Sequence, residues 1–232
     1  GTTSTNTNGS ITSVVSVNQD AGFSIVSYTG NGSASATIGH GLGKTPSFII
    51  TKGRDSVGDN GWLVQHKSVN NYDSYMYLNA TSAAGAFGAS GWTPSNTTIT
   101  LKTNFTDNNK KYIAYCWAEI EGFSKFGSYV GNGNADGPFV YCGFRPAWVL
   151  IKRATGGTGN WAIFDNSRDS TNPVFGYLVA ESSAIEERGT GVIDFTSNGF
   201  KIRNSWTTIN SSGDTIIFAA FAESPFTTAN SK

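Results

Sequence analysis

Charge is scarce in this chain. Charged residues make up 14% of its 232 residues, well below the roughly 25% of ordinary soluble proteins. The 16 basic and 16 acidic side chains cancel. No basic field exists to collect phosphates, which argues against nucleic acid as a partner. No polybasic or amphipathic stretch marks a membrane surface. Long hydrophobic runs are missing as well. The stretch from Ile216 to Ala222 is among the longest, and it is far too short to span a bilayer, so no membrane insertion is expected. No signal peptide is visible. The chain opens at Gly1 in a Ser/Thr/Asn tract, and the expectation is a processed or excised product. Cysteine is limited to Cys116 and Cys142. They allow one disulfide or two free thiols, and two small strand residues facing a core is the favoured reading. Phosphate loop, zinc spacing and calcium loop are all missing, so neither cofactor nor metal is expected.

Aromatics, by contrast, reach 13%, while Met occurs once and helix formers are few. That mix favours strands. An internal repeat is visible. SYTGNG at 27–32 recurs as SYVGNG at 128–133, and TPSFIITK at 45–52 recurs as RPAWVLIK at 145–152. NGWLV at 60–64 aligns with GNWAI at 159–163, and YLNATSAA at 77–84 with YLVAESSA at 177–184. YIAYCWAE at 112–119 aligns with IIFAAFAE at 216–223. Ordered aromatic, proline and lysine matches argue for a duplicated module.

Each copy reads as six or seven short strands with Gly/Asn turns between them. The two Tyr-x-Gly-Asn-Gly strings call for left-handed backbone. Residues 112–120 and 215–223 are apolar on both faces, which places each strand in the middle of a layered structure. Short helical turns are expected at 80–87 and 180–188. The expected fold is all-β: two tandem β-sandwich modules, jelly-roll-like, with an extended N-terminal arm. The expected boundaries are 1–21 for the arm, 22–121 and 122–226 for the repeats, and 227–232 for a tail. The arm turns β-branched at residues 10–17. It reads as a flexible arm or an extra edge strand. A sharper reading makes Ile11, Val14, Val15 and Val17 an assembly strand that pairs with a neighbouring protomer.

Reactive constellations are weak. His66 with Ser68 and Asp73 lacks a nucleophile elbow. Glu181, Glu186, Glu187 and Asp194 form the one dense acidic cluster, and a solvated turn explains it better than a glycosidase pair. Asp136, in a Gly/Asn-rich turn, is a weak cation candidate that turn chemistry alone accounts for. No catalytic residue is assigned. Glycan contact is more plausible, because a flat ring stacks on the apolar face of a pyranose. Trp92, Trp206, Tyr72 and Tyr75 are the candidates in or near loops, set against the alternative that these rings cover module edges. Sequons at Asn8, Asn31, Asn79, Asn96, Asn104 and Asn210 are glycosylation candidates in a maker that glycosylates extracellular proteins.

The strings GFSIVSYTGNG, GHGLGKTPSFIITK, YIAYCWAEIEGFSKFGSYVGNGNADGPFVYCGFRP and IIFAAFAESPF carry a resemblance from Gly22 to Phe226. They resemble repeat modules of tail-fibre and other virion structural proteins of bacteriophages, especially aquatic phages. The resemblance implies an extracellular or virion-surface structural part, with no catalytic residues to carry over. The leading expectation is a non-enzymatic subunit of an extracellular filament or phage tail fibre, with itself as partner. The alternative is a carbohydrate-binding adhesion module at a fibre tip, with cell-surface glycans as partner.

Overall fold

A computed structural model describes residues 2–55, 61–87 and 93–224. The fold is all-β, as the composition predicts, and its sheets pair antiparallel throughout. Two compact units divide the chain. One holds Gly1–Tyr77 and Gly85–Glu119, the other Leu78–Ala84 and Ile120–Lys232.

Unit 1 contains β1 (Ser4–Asn6), β2 (Ser13–Asn18), β3 (Phe23–Thr29), β4 (Thr37–Gly39), β5 (Phe48–Gly53), β6 (Leu63–His66), β7 (Ser74–Tyr77), β8 (Gly85–Ala86), β9 (Thr98–Thr100) and β10 (Lys111–Trp117). Its sheet runs β1-β2-β3-β10-β5-β6-β7-β8, and β4 pairs with β9 separately. Unit 2 contains β11 (Ser124–Val130), β12 (Phe139–Tyr141), β13 (Pro146–Arg153), β14 (Trp161–Asp165), β15 (Val174–Val179), β16 (Glu187–Thr196), β17 (Gly199–Ile202), the single turn α1 (Thr207–Asn210) and β18 (Thr215–Ala222). Its order is β11-β18-β13-β14-β15-β16-β17-β12. The run β3-β10-β5-β6-β7-β8 therefore matches β11-β18-β13-β14-β15-β16, and the pair β4-β9 matches β12-β17. Strands β13 to β17 pair in succession as a meander, whereas the jelly-roll-like order expected from sequence is built from two Greek keys.

Each sheet bends over its own core. In unit 2 the Phe200 ring on β17 meets Phe218 on β18 at 5.3 Å and Tyr129 on β11 at 6.2 Å, although β17 is hydrogen-bonded to neither strand. Two layers facing across side chains give that contact. In unit 1, Ile38 and Ile99 of the β4–β9 pair join Val26, Tyr28, Tyr112 and Ala114 in one buried cluster. The central position predicted for the apolar strands holds. β10 lies between β3 and β5, and β18 between β11 and β13. Tyr112, Ala114 and Cys116 are fully buried on the inner face of β10, and Ile113, Tyr115 and Trp117 are half-buried on the outer.

A phenol ties each core to a chain reversal. Tyr28 donates its O–H to Phe105 O at 3.1 Å, and Tyr129 to Ile209 O at 2.6 Å. Burial raises both phenols well above their ordinary pKa, which keeps them donors. The turns after them need glycine for two reasons. Gly32 and Gly133 are left-handed, at φ of 77° and 71°. A Cβ on Gly30 or Gly131 would sit 2.3 Å from Asp107 O or 2.1 Å from Ser211 O.

Three local expectations change. Residues 80–84 and 182–186 are neither helix nor strand, and strands follow them. Gly85 pairs with Tyr75, and Glu187 with Tyr177. Partners across the sheet outweigh local propensity there. The same pairs show Tyr75, rather than Tyr77, at the position of Tyr177. The sequence alignment is thus out by two, a slip that keeps every side chain on its face. The third change concerns the N-terminal segment. Of the two readings of that segment the edge strand holds and the free arm does not: it is the edge hairpin of unit 1, with β2 paired to β3 from Val14↔Ser27 to Asn18↔Phe23.

Candidate functional site

The N-terminal hairpin holds the residues predicted for assembly. Ile11 and Val15 are 5% and 3% exposed within this chain's own core, Val14 is 46% exposed on the opposite face of β2, and Val17, on the same face as Val15, is 37% exposed. The core positions follow from anchoring at both ends. Ile11 N–H donates to Thr37 O at 2.9 Å, Ser10 and Thr37 exchange side-chain bonds, and Ser13 Oγ–H donates to Gly39 O at 2.8 Å. A Cβ on Gly39 would fall 2.1 Å from Asn6 Oδ1. So close an approach fixes the hairpin on its own β4. A strand donated as a whole to a neighbour is incompatible with that packing in this state, and Val14 is left as its outward-facing valine.

An open cleft of about 360 Å³ lies in unit 1 beside Tyr75. Its walls are Tyr75, Tyr77, Phe87 and Phe105, with Leu63 and Ala86 between them and Lys102 and Asn104 at the polar side. Tyr75 and Tyr77 alternate along β7, so both rings reach the inner face. Their centroids are 5.4 Å apart at 73°, and Phe87 lies 4.6 Å from Tyr75. Lys102 Nζ stands 5.4 Å from the Phe87 ring centre, a cation–π distance. Thr51 pairs with Leu63 across β5–β6, and Gln65 follows Leu63 on the same face. Both are fully buried, with Thr51 Oγ1 and Gln65 Oε1 lacking a hydrogen-bond partner. Both lie beneath the sheet surface and neither lines the cleft.

The cleft follows from a loop length. In unit 1, Leu101 and Phe105 bracket residues 102–104. In unit 2, Ile202 and Ile209 bracket residues 203–208. Shared backbone bonds fix these equivalences: Leu101 to Ala36 and Ile202 to Pro138 at one end, the two tyrosine bonds at the other. The longer loop lays Trp206 on Tyr177 at 4.8 Å. Trp206 is therefore a half-buried packing ring rather than a free platform. Tyr72 is likewise buried and structural, donating its O–H to Pro46 O at 2.7 Å. Of the predicted glycan-contact rings, Tyr75 alone lines the cleft, and Trp92 lies outside the described residues.

The sequons divide by burial. Asn8, Asn31, Asn79, Asn96 and Asn104 are exposed. Asn210 is fully buried. Its Oδ1 accepts Asn132 N–H at 2.9 Å, and its Nδ2 donates to Asn134 O and Asn204 O at 2.7 and 2.9 Å. No hydrogen on that amide is left for a sugar, so the folded chain excludes Asn210 as an acceptor.

Other sequence candidates have structural partners. Both cysteines are buried free thiols, and burial pushes the Cys116 thiol up. His40 accepts Leu42 N–H on Nδ1 and reaches Ser95 O with Nε2, and burial lowers its pKa. His66 is fully buried and accepts Ser68 N–H on Nδ1. The acidic cluster resolves into separate bonds. Glu181 accepts Trp161 N–H at 3.0 Å, Glu186 pairs with Arg188 at 2.8 Å, Glu187 accepts the Tyr177 hydroxyl, and Asp194 meets Arg203 at 3.3 Å. Lys201 hydrogen-bonds the Asp136 carboxylate at 2.6 Å and holds its pKa below the ordinary value.

Lys152 was matched with Lys52 in the alignment but not singled out. It is fully buried, 5.7 Å from the Trp161 ring centre. Its Nζ donates to Thr81 O at 2.8 Å and to Gly159 O. Burial lowers its pKa to about 8, Glu181 opposing that shift. A repeated lysine beside a repeated tryptophan was the available signal.

Residues 1–225 match the family described as Domain of unknown function (DUF7483). The chain belongs to that family. No curated protein and no solved structure matches this DUF7483 chain. No helix among its described residues is long and apolar enough to cross a membrane.

Proposed function

We propose that this chain is a non-enzymatic structural subunit of an extracellular filament or virion-surface fibre, with copies of itself as its partner. The observation behind this reading is one strand order built twice in direct succession. Repeated modules suit a protein whose work is to extend and to hold. The low charge and the exposed valines of β2 support the same reading. So do Glu181, Glu186, Glu187 and Asp194, which are engaged in separate hydrogen bonds and ion pairs. Electron microscopy of the purified chain tests it: regular filaments or discrete oligomers are expected, and isolated monomers at every concentration would refute it.

The cleft favours a second role, saccharide binding in unit 1. Aromatic walls with a lysine and an asparagine suit a ring that is apolar on its faces and hydroxylated at its edge. Lys102 is the charged residue of the lining, so an acidic sugar is the expected guest. Titration with oligogalacturonate should show binding that Lys102→Gln weakens by about tenfold, because a charge-assisted bond is lost. Tyr75→Ala should abolish it. Equal affinity in wild type and Lys102→Gln would remove the acidic-sugar reading.

A further inference from the structure

We propose that the outer face of unit 1 at Lys52 and Trp62 receives residues 180–186 of a second copy, joining copies head to tail. This rests on the fibre reading above and names its contact.

A Lys–Trp pair occurs at the same place in both units. Lys52 lies opposite Ile113 on β10, and Lys152 opposite Ile217 on β18. Each ammonium sits near an indole, at 6.0 Å for Lys52–Trp62 and 5.7 Å for Lys152–Trp161. Their surroundings differ. In unit 2 the pair is sealed, with Trp161 1% exposed. Residues 78–84, themselves part of unit 2, supply the cover. Lys152 Nζ and Gly159 N–H both donate to Thr81 O, at 2.8 and 2.9 Å, and Ala84 N–H donates to Ala154 O at 2.9 Å. In unit 1 the matching Trp62 is 37% exposed. Its indole begins a half-buried row that continues through Tyr115 and Trp117, with 6.4 Å between successive rings.

The occupant is indicated by the same correspondence. The pairs Tyr75↔Gly85 and Tyr177↔Glu187 occupy equivalent positions, so the segment matching 78–84 is 180–186. That segment, Ala-Glu-Ser-Ser-Ala-Ile-Glu, is largely solvent-exposed. Ile185 at its tip is 88% exposed. Laid on unit 1 of another copy, the Ser183 carbonyl takes the place of Thr81 O beside the lysine, and Ile185 takes the place of Ala83. Donor segment and receiving face are different patches, and each copy carries one of each. Such a contact is heterologous and propagates as an open chain or closes as a ring.

Ile185→Asp and Trp62→Glu test the contact by sedimentation and electron microscopy, with circular dichroism to check folding. Ile185 is exposed enough that its variant carries no folding cost. Wild type is expected to assemble and each variant to be monomeric. Each variant keeps one intact patch, so an equimolar mixture should give dimers and nothing longer. If both variants assemble like wild type, this contact is overturned and the fibre reading stands. If the variants are monomeric and their mixture stays monomeric, the head-to-tail geometry is overturned. A wild-type chain that is monomeric up to about 1 mM, where weak contacts still register, overturns both.

Discussion

Lys152 shows how a residue's neighbours define its chemistry. Lys152 Nζ donates to two carbonyls, Thr81 O and Gly159 O, in a buried setting. Burial lowers its pKa to about 8, against roughly 10.4 for an unperturbed lysine. Between these values the unfolded chain binds more protons than the folded one, so stability rises with pH there. Denaturant melts of the full chain from pH 8 to 10 should show unit 2 gaining stability, and Lys152→Met should flatten that slope. Asn210 is a second case. Asn210→Ala strands three backbone partners and should cost about 2–4 kcal/mol by thermal unfolding. Glycopeptide mapping after expression in a glycosylating host should find Asn210 unmodified. The sequon was legible in sequence and its burial was not, because burial comes from Asn132, Asn134 and Asn204 converging on one amide.

Among elements, the N-terminal hairpin gives the sharpest test. Ile11→Ala removes a core side chain and should cost roughly 2–5 kcal/mol. Val14→Ala, on the exposed face, should stay within about 0.5 kcal/mol of wild type. Equal effects in urea melts would contradict the placement of this hairpin. Its β-branched residues were readable as a strand. The strand's destination was not, since Ile11, Val14 and Val17 fit no clean period of two and its partners come from residues 23–39. The strands β3, β11 and β13 are legible in the sequence, because Gly and Pro punctuate them. The segments before β8 and β16 were misread as helical turns, because small residues there carry little local preference. The short turn α1 went unread because Thr207, Thr208 and Ile209 are β-branched and favour strand over helix. It belongs to the longer loop that seats Trp206 on Tyr177.

For the whole molecule, composition predicts the response to salt. With 16 charges of each sign in 232 residues, screening has little to weaken. Self-association should change less than about twofold between 50 and 500 mM salt, measured by sedimentation. A steep loss would point to an ionic contact instead of the apolar face around Trp62.

Sequence by itself determined the fold class, the two matched halves and most strand positions. Those follow from β-branched and aromatic alternation and from Gly, Asn and Pro, whose preferences act over a few residues. Tertiary structure decided which aromatics are available. Tyr72 and Trp206 are packed and Tyr75 lines a cleft, though all three are rings near loops in the sequence. It also decided that Trp161 is 1% exposed and Trp62 37%. Exposure depends on what the rest of the chain places over a side chain, and residues 78–84 and 203–208 do that from far away in sequence.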